Sequence, residues 1–186
     1  MVSRDDADSE VLSLRTLRLF VLALSAGVDL HAQEAPLEYQ VKAAYLFNFV
    51  KFVEWPSTAE PGPLTICLAG RNPFGQYLAA TLSGEAVAGR ALTSRVILTP
   101  EPGCHVVFMP DGVAATPYLR AARGSPTLTV GEAPGFIAQG GIVNFIVEDG
   151  PVRFEISRNA AERVKLRISS RLLQLARITE PGLEPR

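Results

Sequence analysis

The pair Cys104–His105 is the first candidate for chemistry in this chain, because a thiol beside an imidazole can act as a nucleophile. A catalytic pair needs converging side chains, whereas neighbouring residues of a strand point to opposite faces. The surrounding sequence, CHVVFM, is typical of a buried strand, so we interpret His105 as a structural histidine. Cys104 then has one possible partner, Cys67. The two form either a disulfide or a pair of buried free thiols.

Two charged residues follow predicted buried strands, a position where α/β sheets commonly bind ligands. Arg71 lies in the loop 70–75 between a strand and a helix, which could hold an anion, although its glycine spacing does not fit a dinucleotide site. Asp111 lies in a Pro-Asp-Gly sequence after another strand. A ligand near Arg71 or Asp111 is therefore one hypothesis, but ordinary turn chemistry explains both residues and is the favoured interpretation.

Beyond these residues the sequence contains no recognisable catalytic set. It has no Walker A lysine motif, no G-x-S-x-G nucleophile elbow and no histidine spacing typical of a metal site. Asp149 is assigned to an Asp-Gly-Pro hairpin turn between two alternating runs. We therefore expect no catalytic residue, no bound metal and no cofactor.

Short strands alternate with helices along the part of the chain that would position these residues. The predicted strands are 64–69, 90–98, 104–109, 127–130, 141–148 and 152–157, and the predicted helices before the last two strands are 37–55, 74–82 and 116–123. Asn159 and Glu162 form a capping-box pattern that predicts the start of a C-terminal helix. This order predicts a single α/β domain with a mostly parallel sheet, helices on both faces and a C-terminal antiparallel hairpin plus helix.

The first predicted helix, 37–55, carries an apolar side chain where a polar one is expected. At 100° per residue, Phe47 falls on the polar stripe that includes Lys51, and Trp55 closes the helix before Pro56. An apolar side chain in such a place is covered either by another part of the chain or by a partner. If a partner covers it, Phe47, Lys51 and Trp55 are the candidate residues for binding that partner or a second copy.

The other possible cover for that aromatic ring is the C-terminal helix. That helix carries Leu172, Leu173 and Leu175, and all three are expected to be buried.

The N-terminal segment, residues 1–32, has the order of a secretory signal. Arg15 and Arg18 precede or enter an apolar run of about a dozen residues, and Ala32 offers a small residue for cleavage. Residues 33–186 then form the exported domain, whose location we expect to be the periplasm. Export would place both cysteines in an oxidising compartment, which favours pairing.

Overall charge and hydropathy exclude two classes of protein. The 186 residues include 18 basic and 19 acidic ones, a formal net charge of −1. A protein built around nucleic acid needs a basic surface, which this balance does not provide. No apolar run reaches the roughly 20 residues that cross a bilayer, so we expect no direct membrane insertion.

Several segments, taken in order, resemble the YfiR family. They are AAYLFNFVKFVEWP, ICLAGRNPFG, LTVGE, FIAQGGIVNFIVEDGPVRFEIS and LRISSRLLQLA, and they run from about Tyr39 to Ala176. Family members are periplasmic proteins, and some bind the periplasmic sensor region of an inner-membrane diguanylate cyclase and hold it inactive. The resemblance therefore implies a non-enzymatic repressor in cyclic di-GMP signalling, with an α/β fold and a tendency to form homodimers.

One departure from the family pattern concerns the cysteines. Some relatives have a second pair near the hairpin, whereas this chain has two cysteines in all, which leaves Cys67–Cys104 as its one possible intramolecular bridge. The alternative function is a periplasmic small-molecule-binding protein with a concave pocket near Arg71 or Asp111.

Overall fold

The structure, a computed structural model, describes residues 36–56, 62–147 and 150–181. The predicted secretory segment and Asp149 of the hairpin turn lie outside these ranges. The described helices are α1 Leu37–Phe52, α2 Tyr77–Leu82, α3 Ala115–Ala121, α4 Arg158–Arg163 and α5 Ser170–Leu175. The described strands are β1 Val53–Glu54, β2 Leu64–Ala69, β3 Ala86–Val87, β4 Arg90–Ile97, β5 Val106–Met109, β6 Leu128–Gly131, β7 Val143–Val147, β8 Val152–Ile156, β9 Arg167–Ile168 and β10 Arg177–Ile178.

Eight of the described strands form one sheet in the order β10-β8-β7-β6-β5-β2-β4-β3. The central run β7-β6-β5-β2-β4 is parallel throughout, and β7 and β8 form the antiparallel hairpin. Strands β5 and β6 are buried along their whole length, as expected for parallel strands covered on both faces. This arrangement confirms the predicted α/β fold.

Helices cover both faces of the sheet and produce two hydrophobic cores. The larger core lies beneath α1, α2, α4 and α5, and includes Phe49, Phe145 and Phe154. The smaller core lies beneath α3 on the other face and includes Cys67 and Phe136. Within the described ranges, no helix is both long enough and apolar enough to cross a membrane.

The first helix ends earlier than the sequence predicts. Residues 53 and 54 leave the helix and pair with β9 in antiparallel register, Val53 opposite Ile168 and Glu54 opposite Arg167. The N–H of Ser169 also donates to the carbonyl of Phe52, at 3.0 Å. Hydrogen bonds to a distant strand thus replace the helical ones, and Trp55 lies beyond the helix.

The capping-box prediction at Asn159 is wrong. Helix α4 begins at Arg158, and the side chain of Ser157 accepts the N–H of Ala160 at 3.1 Å. Ser157 directly follows β8, so the end of that strand determines where the helix begins. Asn159 is therefore already inside the helix, where it cannot act as the cap.

The C-terminal helical region is broken near Leu166, as the sequence indicated, and continues as α5. In α5, Leu172 is buried and Leu173 is partly buried, whereas Leu175 is 72% exposed. The expectation that all three leucines are buried is therefore wrong for Leu175. It is the last residue of the helix, and the chain becomes extended at Ala176 to form β10, so this side chain lies beyond the core.

Candidate functional site

Cys67 and Cys104 form a disulfide, which confirms the predicted bridge. Their Cα atoms are 5.7 Å apart, because β2 and β5 are neighbouring parallel strands and Cys104 lies two residues before β5. Cys67 is fully buried and Cys104 is partly buried. The bridge ties the loop before β5 to the centre of the sheet, and neither sulfur is available as a thiolate nucleophile.

A hydrogen-bond donor lies beside each ring nitrogen of His105, and the neutral imidazole can accept from one of the two. Its Nδ1 accepts the backbone N–H of Thr65 at 3.2 Å, and its Nε2 lies 2.9 Å from a guanidinium nitrogen of Arg90. The Trp55 ring packs edge-on against the imidazole, with ring centroids 6.3 Å apart. Burial, and then the positive charge of Arg90, hold the pKa of His105 below its ordinary value. These contacts give His105 a structural role at the start of β2.

Arg71 and Asp111 are brought together, but through the main chain. Each follows one of the neighbouring strands β2 and β5, so both lie at the carboxyl edge of the sheet. A guanidinium nitrogen of Arg71 donates to the backbone carbonyl of Asp111 at 3.1 Å, and the N–H of Asp111 donates to Glu132 at 2.8 Å. These two hydrogen bonds hold the loop at Asp111 in place.

A buried ion pair, which the sequence patterns did not predict, lies next to this loop. The side chain of Lys42 is 3% exposed and pairs with Glu132, which is 5% exposed, and with Glu38. The hydroxyl of Tyr39 also donates to Glu132, at 2.7 Å, and burial followed by this bond raises the pKa of Tyr39 above its ordinary value. Glu132 thereby joins α1 to the end of β6 and to the Asp111 loop.

Signals for these residues were present in the sequence. Lys42 precedes the buried residues Leu46 and Phe49 by four and seven positions, so it falls on the inward side of α1. Glu132 directly follows the buried strand β6. A lysine on a buried helix face needs a carboxylate partner, and the carboxyl end of a central strand is a reasonable place to look for one.

The partner-binding candidates on and after α1 occupy two places. Phe47 is partly buried and packs against the larger core, while Lys51 is exposed with its ammonium 6.0 Å from the Phe47 ring centre. Because the chain is extended at Val53 and Glu54, Trp55 no longer follows the helical spacing that would align it with Lys51. Phe47 and Lys51 thus form one surface, and Trp55 lies past the helix beside His105.

A cleft of about 590 Å³ lies beside the disulfide. Trp55, Cys104, His105 and Tyr118 contribute to its walls, together with the loop 100–103. The Tyr118 hydroxyl donates to the carbonyl of Leu98 at 2.9 Å, and the indole nitrogen of Trp55 is buried with no hydrogen-bond partner in the described part of the chain. The surface of this cleft is therefore mainly apolar.

The candidate chemical groups all hold the fold together. The cysteines are bonded to each other, His105 accepts the backbone N–H of Thr65, and Glu132 accepts from three donors. Among residues 36–56, 62–147 and 150–181, no group of three or more His, Cys, Asp or Glu side chains could hold a metal ion. Arg71 and Asp111 do not line the cleft beside the disulfide.

Fold and site together define an α/β domain with an internal disulfide, in which the buried ionisable side chains hold the secondary-structure elements together. The DUF4154 family model, described as YfiR/HmsC-like, matches residues 39–177, and the chain belongs to this family. A comparison with curated proteins found no match. Proteins of this family are periplasmic, and they are regulatory rather than catalytic.

Proposed function

We propose that this chain is a non-enzymatic periplasmic repressor that binds the periplasmic sensor region of an inner-membrane diguanylate cyclase and holds the enzyme inactive. The observation that carries this proposal is the family match over residues 39–177. The predicted secretory segment and the disulfide both fit an oxidising location outside the cytoplasm. The bonded or buried state of the candidate chemical groups fits a role in binding.

The proposed contact surface is the exposed side of α1 around Lys51, with the partly buried ring of Phe47 at its edge. The inner side of the helix is anchored by Leu46, Phe49 and the buried ion pair of Lys42. This anchoring fixes the orientation of the outer side. Binding a partner to a rigid surface costs little conformational entropy.

An aromatic ring beside a cation also suits the chemistry of a protein interface. Aromatic and arginine residues carry much of the binding energy in interfaces, and truncating one such anchor often costs about 2 kcal/mol or more, or roughly thirtyfold in affinity. Lys51 adds a positive charge at the rim, which favours an acidic patch on the partner. Trp55 supplies a second aromatic group beyond the helix.

Site-specific photocrosslinking tests this surface in the cell. A benzophenone amino acid placed at Phe47 or Lys51 should crosslink to a membrane diguanylate cyclase, identified by mass spectrometry of the product. The matched control is the same probe at Leu175, an exposed apolar position on another helix. Equal crosslinking from Leu175, or no cyclase in any product, would contradict the proposed surface.

Truncation of Phe47 separates an interface role from a core role. As an anchor, Phe47→Ala should weaken association with the cyclase about thirtyfold, with a loss of unfolding free energy well below that of a fully buried ring, because Phe47 is only partly buried. As a core residue, the same change should cost about 3–5 kcal/mol of unfolding free energy. Leu175→Ala is the matched control, and it should alter neither quantity.

The proposed assembly includes a homodimer of this chain. Light scattering after size-exclusion chromatography measures the oligomeric state directly. A mass equal to one chain at all accessible protein concentrations would contradict the homodimer, without bearing on cyclase binding.

A further inference from the structure

A second cleft, of about 400 Å³, lies where strands β6 and β7 begin to pair. These parallel strands are in register at two positions only, Val130 with Val143 and Gly131 with Asn144. Before that point the chain leading into β7 lies apart from β6, and the N–H of Ile142 donates to the side-chain oxygen of Thr129 at 3.1 Å. This separation leaves the space between the strand starts open.

Five of the residues that line this cleft are aliphatic, and the polar lining side chains are those of Thr127, Thr129, Gln139 and two arginines. Leu119 of α3, Ile142, and Ala160 of α4 are buried, and Val164 is partly buried. None of the described residues that line the cleft is aromatic or acidic. Its volume falls within the range of small-ligand sites, which are mostly apolar with a few fixed polar groups.

Two arginines supply the charge of the cleft. Arg123 follows the C-terminal end of α3, and Arg163 is the last residue of α4. Both are exposed, and neither has an ion-pair partner in the described part of the chain. Since none of the described residues that line the cleft carries a carboxylate, these two guanidinium groups give the cleft a positive charge, which favours an anion.

Thr129 adds a polar group inside the cleft. It is 2% exposed, and its hydroxyl oxygen already accepts the N–H of Ile142. Among the described residues the hydroxyl proton has no acceptor, so it remains available to a ligand oxygen.

We propose that this cleft binds a small aliphatic carboxylate, with its alkyl chain against Leu119, Ile142 and Val164 and its carboxylate held by Arg123 and Arg163. Guanidinium groups form strong charge-assisted hydrogen bonds with carboxylates, and the aliphatic walls bury a short hydrocarbon chain. A ligand with no apolar part, such as inorganic phosphate, would leave these walls uncovered. The site is separate from Arg71, Asp111 and the outer side of α1.

Titration with hexanoate, followed by amide chemical shifts of the purified protein, tests this site. Hexanoate should give saturable shifts at Gly124, Thr129 and Gly140, and hexanamide, its neutral analogue, should bind about tenfold more weakly or worse. Arg123→Gln and Arg163→Gln should each weaken hexanoate binding about tenfold. Both arginines are exposed, so the melting temperature should not change.

Arg153→Gln is the matched control, because it removes the same charge from an exposed position on β8 that does not line the cleft. It should leave hexanoate affinity unchanged at constant ionic strength. The proposal is overturned by equal binding of hexanoate and hexanamide, by equal losses in all three variants, or by the absence of saturable shifts. None of these outcomes bears on cyclase binding, since the assay contains no partner protein.

Discussion

Replacing Lys42 with methionine tests the buried ion pair that links α1 to the end of β6. Methionine retains an unbranched apolar stem and removes the ammonium that pairs with Glu132 and Glu38. Glu132 would keep the hydrogen bonds from Tyr39 and from the N–H of Asp111 but would lose its charged partner. A nearly buried carboxylate would then lack a counter-charge, which destabilises the folded state.

The expected cost follows from these contacts. Removing one partner of a buried ion pair typically costs about 3–5 kcal/mol. Glu132 retains two donors, so we expect the lower end for Lys42→Met, about 3 kcal/mol. For a domain of this size, that corresponds to a fall in melting temperature of about 6–12 °C.

Urea unfolding followed by circular dichroism and by the fluorescence of Trp55 measures this cost. Lys51→Met is the matched control, an exposed lysine of the same helix, and should change the unfolding free energy by less than about 0.5 kcal/mol. Adding Glu132→Gln to Lys42→Met should recover at least about 1 kcal/mol, because no unpaired charge remains. A cost below about 1 kcal/mol for Lys42→Met would refute the assignment of a buried, energetically coupled pair.

Three further predictions concern the disulfide, the histidine and the secretory segment. Breaking Cys67–Cys104, which closes a separation of 37 residues, should lower the unfolding free energy by about 4 kcal/mol; unchanged urea midpoints with and without reductant would contradict this. The pKa of His105 is lower in the folded state than the unfolded value of about 6.5, so its stabilising contribution is present above that value and is lost as the pH falls through the folded pKa. Urea midpoints should therefore fall from pH 7 to pH 5, and His105→Gln should flatten this dependence; an equal slope in the variant would contradict it. Intact-mass analysis of exported protein should find a chain that begins at Gln33, and retention of Met1 would exclude cleavage after Ala32.

The sequence predicted the six longer strands of the sheet because local patterns mark them, whereas the two-residue edge strands β3 and β10 were not predicted. Short apolar runs bounded by glycine and proline mark the buried strands, and the alternating runs around Gly150 mark the hairpin. The disulfide was predictable as one of two options, since two cysteines and an expected oxidising compartment leave a single pairing. The structure shows that β2 and β5 are adjacent strands, which brings the two cysteines within bonding distance.

The errors arose where distant residues decide the local structure. Helix α1 ends at Phe52 because residues 53 and 54 pair with β9, more than 100 positions further along the chain. Ser157 caps α4 because it directly follows β8, where its N–H donates to Ile142 and its hydroxyl donates to Glu180. The pairing of residues 53 and 54 with β9, and the bonds of Ser157 to Ile142 and Glu180, cannot be identified from the residues next to either helix.

The site was predicted only in part for the same reason. Arg71 and Asp111 were located correctly at the carboxyl edge of the sheet, but their contact through the backbone cannot be read from residue types. Lys42 on the inward side of α1 indicated the need for a carboxylate, but Glu132 is 90 positions away, so the partner could not be identified from nearby residues. The sequence therefore indicated where these residues lie in the fold, but it did not indicate which groups they contact.

Cyclic di-GMP synthesis by inner-membrane vesicles tests the central claim most directly. Vesicles that contain the candidate membrane diguanylate cyclase, oriented so that its periplasmic region is accessible, are assayed with increasing amounts of the purified protein. The account predicts saturable inhibition by the unaltered protein and by Leu175→Ala, with Phe47→Ala requiring about thirtyfold more protein for the same effect. Unchanged synthesis at saturating protein, with the cyclase shown to be active and accessible, would contradict the proposed function.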